Sequence, residues 1–429
     1  MKKSMRKVVK LSIIIVSILV MTIVVIGSTI VLNKGEEYQP TLDRVENNST
    51  QSPSSSPIAN QTAEVIQTKE PIQSEKPSGT EKPYVNHTPV PVRSVSLVAV
   101  GDDLIHTQVI ASGKQPNGSY NFDHLYANLK EEFNAADLAV MNQETLLGGK
   151  SLGYSGYPRF NSPTEIGDAL VKAGFNVILH ATNHSMDKGE KGAQNTIDYW
   201  KQHHDVLVAG LNETQEEQDR IRVIEKNGIR FAILNYTYSL NGLPLPKNRK
   251  YMVNMLNEEK IRQDIAKAKQ EAEFIIVFPH WGKEYSHELS TSQESWMKLF
   301  LELEVDLVIG THPHVIEPVR WEISETGHRM LVYYSLGNYI SSQVRVATML
   351  GGMASIRVEK VGDEKPMIVE ASITPIVTHY ENHAKNYSVY KLSDYTEELA
   401  NKHALKKEGL TIHRLTQISE EVLCEWYEE

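Results

Sequence analysis

The 429 residues contain a single cysteine, Cys424. That scarcity excludes an internal disulfide, so an exported fold would be held by its core and by any metal it binds. Its place near the far end also rules out a lipid anchor on a cysteine behind an amino-terminal signal. Positive charge is scarce too: 44 Lys and Arg stand against 54 Asp and Glu, a formal charge of −10. Five of those cations lie in the first ten residues, which leaves −15 for the rest. Nucleic acid is therefore excluded as a partner on charge. An anionic polymer would also be repelled unless cations or a local basic groove intervene. No internal repeat is present, which excludes solenoid and propeller architectures.

What the sequence does have begins with Lys2, Lys3, Arg6, Lys7 and Lys10, followed by 22 uncharged residues from Leu11 to Leu32. At about 1.5 Å per residue that run reaches about 33 Å, enough to cross a bilayer with a modest tilt. A cleaved signal would have a shorter apolar stretch ending in small residues, so residues 1–33 read as an uncleaved single-pass anchor. The preceding cations place the amino terminus in the cytoplasm and the remainder outside the cell. Residues 34–92 turn to Ser, Pro, Thr, Gln and Asn and read as a disordered tether. Some sixty residues of coil span about 40–45 Å root mean square.

Residues 93–378 carry the periodicity of an ordered domain. Apolar strands are expected at Val95–Val100, Asp137–Met141, Asn176–His180, Val206–Val208, Ile229–Tyr236, Phe274–Phe278 and Asp306–Ile309. Helices are expected between them at Asp123–Ala136, Pro163–Ala173, Gly189–His203, Glu258–Ala272 and Ser292–Leu303. Asn227-Gly228 should close a hairpin between Ile221–Glu225 and the strand from Ile229. Strands then crowd the end at Leu331–Tyr334, Gly352–Val358 and Met367–Thr374. Alternation followed by antiparallel crowding predicts an α/β sandwich of mixed sheets, with helices outside and the chemistry at one edge. Residues 379–429 read as a polar, helical extension.

Five of these strands end on chemistry. They deliver Asp102-Asp103, Asn142-Gln143-Glu144, Asn183-His184, His280-Trp281-Gly282 and His312-Pro313-His314. Singly each has an ordinary explanation, such as a cap, a turn or a satisfied core histidine. Together Asp102, Glu144, Asn183, His280, His312 and His314 make a mixed oxygen and nitrogen set suited to one or two cations of the Mn, Fe or Zn type. Pro313 biases His312 toward an extended backbone, which would let both imidazoles leave on the same side.

With Asp187-x-Gly189, Glu284-Tyr285 and Tyr334-Ser335-Leu336-Gly337-Asn338 added, the series resembles that of the poly-γ-glutamate capsule-synthesis (CapA-like) proteins. These are similar in fold to calcineurin-like metallophosphoesterases, so the resemblance implies an α/β/β/α sandwich over about Ser94 to Thr374. It implies metal ligation by Asp102, His312 and His314, a second cation on Asn183 and His280, and Glu144 as the bridging acid. His184 would be no ligand but the proton or hydrogen-bond donor to the reacting group. The sequence departs from the phosphoesterase pattern at Leu104, where a histidine ligand is usual, and His106 or Asp103 is the expected substitute. Glu144 also replaces an aspartate, and Ala181-Thr182 a glycine. Arg159, Lys283, Trp281, Tyr285 and Asn338 are the candidate substrate contacts, whereas Asp187 reads as a helix cap.

The function expected from all this is synthesis, export or attachment of an anionic surface polymer, poly-γ-glutamate by resemblance, through metal-assisted hydrolysis or transfer. Two rival expectations are a non-catalytic partner of a membrane-embedded synthase and a cell-surface phosphatase or nucleotidase on the same scaffold.

Overall fold

Fourteen strands build two mixed sheets in the computed structural model, which describes residues 90–382 and 385–427. The expected anchor and nearly all of the expected tether lie outside the described residues. Among the described residues no helix is long and apolar enough to cross a membrane.

In the first sheet β1 (Val92–Asp103), β2 (Leu138–Asn142), β3 (Val177–Leu179) and β4 (Leu207–Ala209) run parallel. On the other side of β1 the sheet continues antiparallel through β12 (Leu350–Val361), β13 (Met367–Glu381) and β14 (Lys385–Lys391). The second sheet has the order β5-β6-β7-β8-β10-β9, from β5 (Arg222–Lys226), β6 (Ile229–Thr237), β7 (Phe274–His280), β8 (Leu307–Ile309), β9 (Val319–Ile323) and β10 (Arg329–Tyr333). Its four central strands are parallel and the two at the edges antiparallel. The Asn227-Gly228 hairpin joins β5 to β6 as expected.

Period-two alternation explains how the layers pack. Phe274, Ile276 and Phe278 of β7 face the core between the sheets, with Val95 and Leu97 of β1 and Leu331 and Tyr333 of β10. Ile275 and Val277 face the other way, onto Ile261, Ile265, Met297 and Phe300 of the helices Glu258–Glu271 and Thr291–Glu302. The expected sandwich of mixed sheets with outer helices is thus present.

Two expectations need correction. The stretch Asp123–Ala136 is not one helix but two short 3-10 turns followed by a helix over Lys130–Ala135. Phe122, Leu125, Leu129 and Phe133 are all buried as the spacing required, but the chain breaks near Tyr126, whose hydroxyl reaches Asp103 (3.0 Å). The boundary at 378 also falls inside a strand, because β13 runs on to Glu381 and pairs with β14. Beyond it Tyr395, Leu405, Leu410, Leu415 and Leu423 join the main apolar core, so the described residues after 378 help to complete the core.

The feature that positions the site is the carboxyl end of β1. Up to Val100 the strand pairs with β12, and at Asp102 it pairs instead with β11 (Asn338–Ile340). The crossing is tight: a Cβ on Gly101 would lie 1.9 Å from the carbonyl oxygen of Gly337. Only glycine allows that approach. In return the amide of Asp102 donates to that oxygen (2.9 Å), fixing where its side chain points.

Candidate metal centre

Parallel strands put their carboxyl ends at one edge of a sheet, and here the edges of both sheets meet. β1 delivers Asp102, β2 leads to Glu144, β3 to Asn183 and His184, β7 ends on His280, and the turn after β8 carries His312 and His314. All of these side chains are buried, and they converge. His314 Nδ1 lies 3.1 Å from Asp102 Oδ2 and 3.8 Å from Glu144 Oε2. His280 Nε2 lies 3.7 Å from Glu144 Oε1 and 3.0 Å from Asn183 Oδ1. Ligand atoms of Glu144, His280 and His312 lie within 4.8 Å of one another, as do those of Asp102, Glu144 and His314.

Neighbours aim these groups. Asn142 Nδ2 donates to Asp102 Oδ1 (2.8 Å), and the amide of His312 donates to Asp102 Oδ2 (3.2 Å). Thr311 Oγ1 sits 3.0 Å from His280 Nδ1, and Asn338 Oδ1 lies 3.0 Å from His314 Nδ1. The His-Pro-His turn differs from expectation, because His312 (φ +100) and His314 (φ +60) occupy the left-handed region rather than an extended one. That conformation costs roughly 1–3 kcal/mol per residue and persists where the surroundings over-determine it. The rings still converge, with centroids 5.9 Å apart.

The donor set fits divalent metal. Both oxygens of Glu144, 1% exposed, have no hydrogen-bond partner, and neither does Nδ1 of His312. A buried carboxylate without a partner is strongly disfavoured, and a cation is the partner this shell offers. The charges of the bare cluster are unevenly balanced, and only two of its histidines favour the neutral form a ligand needs. Burial and then the Asp102 charge raise Glu144 well above the ordinary carboxylate range. Burial also pushes His280 and His312 well below the usual imidazole value, keeping lone pairs available. His314 moves the other way, to about 9: burial lowers it, but the carboxylates of Glu144 and Asp102 more than offset that.

His184 stands beside this group without belonging to any of its triads. Its Nδ1 lies 2.7 Å from Asp187 Oδ2, which also accepts from the amide of Phe160 (2.7 Å), and its Nε2 is 3.9 Å from Glu144 Oε1. Asp187 is therefore not a helix cap. The residue at the cap position of Gly189–Trp200 is Lys188, and Asp187 orients the imidazole instead.

The remaining expected residues separate cleanly. A cavity of about 680 Å³ opens over His184 and His314, lined also by His106, Arg159 and Tyr285. His106 stays on its wall, where its Nδ1 accepts from the amide of Ser342 (3.2 Å), outside the ligand triads. Asp103 is no substitute ligand, because as the next residue along the strand it faces away, onto Tyr126. Trp281 is core: its Nε1 donates to the carbonyl of Tyr334 (2.9 Å). Lys283 is exposed and does not line the cavity. Sequence reasoning missed Glu284, whose carboxylate groups with His312 and His314, and Arg345, which lies 4.3 Å over the ring of Tyr285. Glu284 was visible only as the fifth residue of its motif, and Arg345 had no sequence signal.

Residues 96–343 match the family described as Bacterial capsule synthesis protein PGA_cap, more than half of the chain. The chain belongs to this family. It is similar to PGA biosynthesis protein CapA of Bacillus subtilis (strain 168), with 29% identity over 212 residues, 49% of this chain and 53% of that protein. It is also similar to Capsule biosynthesis protein CapA of Bacillus anthracis, with 32% identity over 180 residues, 41% of this chain and 42% of that protein. The chain thus spans about half the length of the curated relatives it matches. Among solved structures, the NAD nucleotidase (NadN) of Haemophilus influenzae aligns at a TM-score of 0.44 with 12% identity, covering 77% of this chain and 68% of that one. A putative 5'-nucleotidase from Staphylococcus aureus aligns at 0.41 with 13% identity, covering 66% and 54%.

Behind the His-Pro-His turn one acid is set up for a pH effect on stability. Glu317 is fully buried, and burial raises its carboxyl to about 8, only partly opposed by the hydrogen bond from Gln293. The unfolded chain releases that proton near 4.5, so stability falls as pH rises from there and levels off once the folded-state value is passed. Glu317→Gln removes the penalty. Its gain over the parent should be small at pH 5 and on the order of 2–4 kcal/mol at pH 8.5, measured by urea unfolding at the two pH values.

Proposed function

We propose that this chain is a membrane-anchored, outward-facing hydrolase or transferase that uses divalent metal to act on an anionic surface polymer, poly-γ-glutamate being the polymer that family membership favours. The observation that carries the reading is one cavity that joins the buried donor set, the His184–Asp187 pair and two guanidinium groups, Arg159 and Arg345. Among the described residues neither arginine makes an ion pair within 4.0 Å. They supply the local positive charge that a polyanion needs to approach a chain of net charge −10.

Asp102, Glu144, Asn183, His280, His312 and His314 would hold the cation or cations. When bound, divalent metal supplies a Lewis acid for the attacked oxygen and a nucleophile at neutral pH. With Nδ1 2.7 Å from Asp187 Oδ2, His184 lines the cavity and would use Nε2 to pass a proton to a departing amide nitrogen or ester oxygen. Arg345, stacked on Tyr285, and Arg159 line the same cavity and would hold carboxylates of the polymer there. The apolar segment Leu11–Leu32 would hold the enzyme at the membrane, beside the machinery that makes or exports the polymer.

The test is cleavage of poly-γ-glutamate and of a chromogenic phosphodiester by the full chain in detergent with Mn(II). Arg345→Ala should raise KM for the polymer roughly 10-fold, equivalent to about 1.4 kcal/mol, and leave kcat within about twofold. Cleavage of neither substrate by metal-loaded protein would overturn the catalytic reading. The apolar Leu104 in the cavity wall favours a second reading, a non-catalytic partner of a membrane synthase. On that reading site variants still support polymer production in cells and deletion of 11–32 abolishes it.

A further inference from the structure

One wall of the cavity is a loop, residues 342–345, that follows β11 and ends on Arg345. It has little support from the backbone. Among the described residues, neither Ser342 nor Gln343 makes a backbone-to-backbone hydrogen bond. Such a segment keeps one shape only where side chains meet its polar groups. On the cavity side Gln343 Oε1 accepts from Asn338 Nδ2 (2.9 Å), and Arg345 lies 4.3 Å over the ring of Tyr285.

The remaining support comes from two strands that contribute nothing to the cavity lining. The hydroxyl of Tyr387, in β14, lies 2.7 Å from Ser342 Oγ, and that of Tyr380, in β13, donates to the carbonyl of Gln343 (3.2 Å). Both rings are buried, and they stack with centroids 4.9 Å apart and planes 15° from parallel. Local register explains why they meet. Between the pairs of His379 with Ser388 and of Glu381 with Lys385, β13 has one residue, Tyr380, where β14 has two, Asn386 and Tyr387. Asn386 takes up the left-handed conformation (φ +54) of a bulge, an irregularity that re-aims side chains. Here it accompanies two hydroxyls that reach successive residues of the loop.

We infer that Tyr380 and Tyr387 are positioning residues for polymer binding: they hold the loop that presents Arg345, so the carboxyl-terminal strands set the affinity of a cavity they do not line. This rests on the reading above in which Arg345 receives carboxylates of the polymer. Without the hydroxyls the loop is free before binding, and ordering it then opposes the binding step.

The test is direct binding, which needs no turnover: anisotropy of fluorescently labelled poly-γ-glutamate titrated with the full chain in detergent with Mn(II). Tyr380→Phe and Tyr387→Phe keep the stacked rings and remove only the hydroxyls. Each should raise Kd roughly 3-fold, and both together roughly 5- to 10-fold, close to the loss from Arg345→Ala. Ser342→Ala, which breaks the same contact from the loop side, should match Tyr387→Phe. Because the tyrosines act through Arg345, adding both Phe changes to Arg345→Ala should weaken binding less than about twofold further. A merely structural role would multiply the losses instead. An unchanged Kd in the double Phe variant, or losses that multiply with Arg345→Ala, would overturn the inference. The expected pattern in a chain that binds polymer but cleaves nothing would support it while removing the catalytic reading. A parent that does not bind, or an Arg345→Ala chain that binds as the parent does, would overturn both the role given to Arg345 and this inference.

Discussion

Replacing His184 by alanine is expected to lower kcat on the polymer by about 10²–10⁴ while leaving bound metal unchanged. The reason is the division of labour in the cavity. His184 belongs to none of the ligand triads, and its Nδ1 is already engaged by Asp187 at 2.7 Å. Only Nε2 is left for the reacting group. Asp187→Asn should fall between the parent and His184→Ala, since an amide can hold the ring but supports the imidazolium less well. Steady-state kinetics with metal analysis of the same samples measures both halves of the statement. A His184→Ala chain that turns over at the parent's rate would remove the proton donor from the scheme.

For His280→Ala the expected result is loss of the metal itself, with Mn(II) affinity down by at least ~100-fold, the upper end of what loss of a mere supporting contact brings. This side chain is fully buried, and it faces Glu144 (3.7 Å) and Asn183 (3.0 Å) with one nitrogen while Thr311 lies against the other. Its removal takes a donor from the triad that includes His312 and leaves the Glu144 carboxylate with still less to offset its burial. Activity should vanish together with the metal, unlike in His184→Ala. Retention of full metal content by the variant, measured by elemental analysis after dialysis, would place the tight site elsewhere.

Much of this arrangement was legible in the sequence because parallel strands carry a simple rule: short apolar runs that stop at Asp, Asn, Glu or His put those residues at one edge. Asp102, Glu144, Asn183, His280, His312 and His314 were all picked out that way; ligand atoms of the two acids and three imidazoles fall into overlapping groups within 4.8 Å, and Asn183 Oδ1 lies 3.0 Å from His280 Nε2. What escaped depended on three-dimensional approach. The three-residue strand β11 exists because β1 abandons β12 at Asp102, and nothing in Asn338–Ile340 announces that. Glu284 and Arg345 sit on exposed loops with no periodicity, and their value comes from neighbours up to sixty residues away. Asp103 misled for the opposite reason: adjacency in sequence means opposite faces in a strand.

The long strand β13 has β12 along one side and, over its last residues from Ile376, β14 on the other. Ending the chain at residue 378, where composition changes, would cut β13 short of Glu381, strip away β14 and bare both the pairing edge of Ile376–Thr378 and the core that Tyr395, Leu405, Leu415 and Leu423 help to close. Such an edge is a template for pairing with other copies. Shortened versions cut there should therefore precipitate or assemble into sheet-rich aggregates, and recombinant production needs the tail even though no residue of the cavity lies in it.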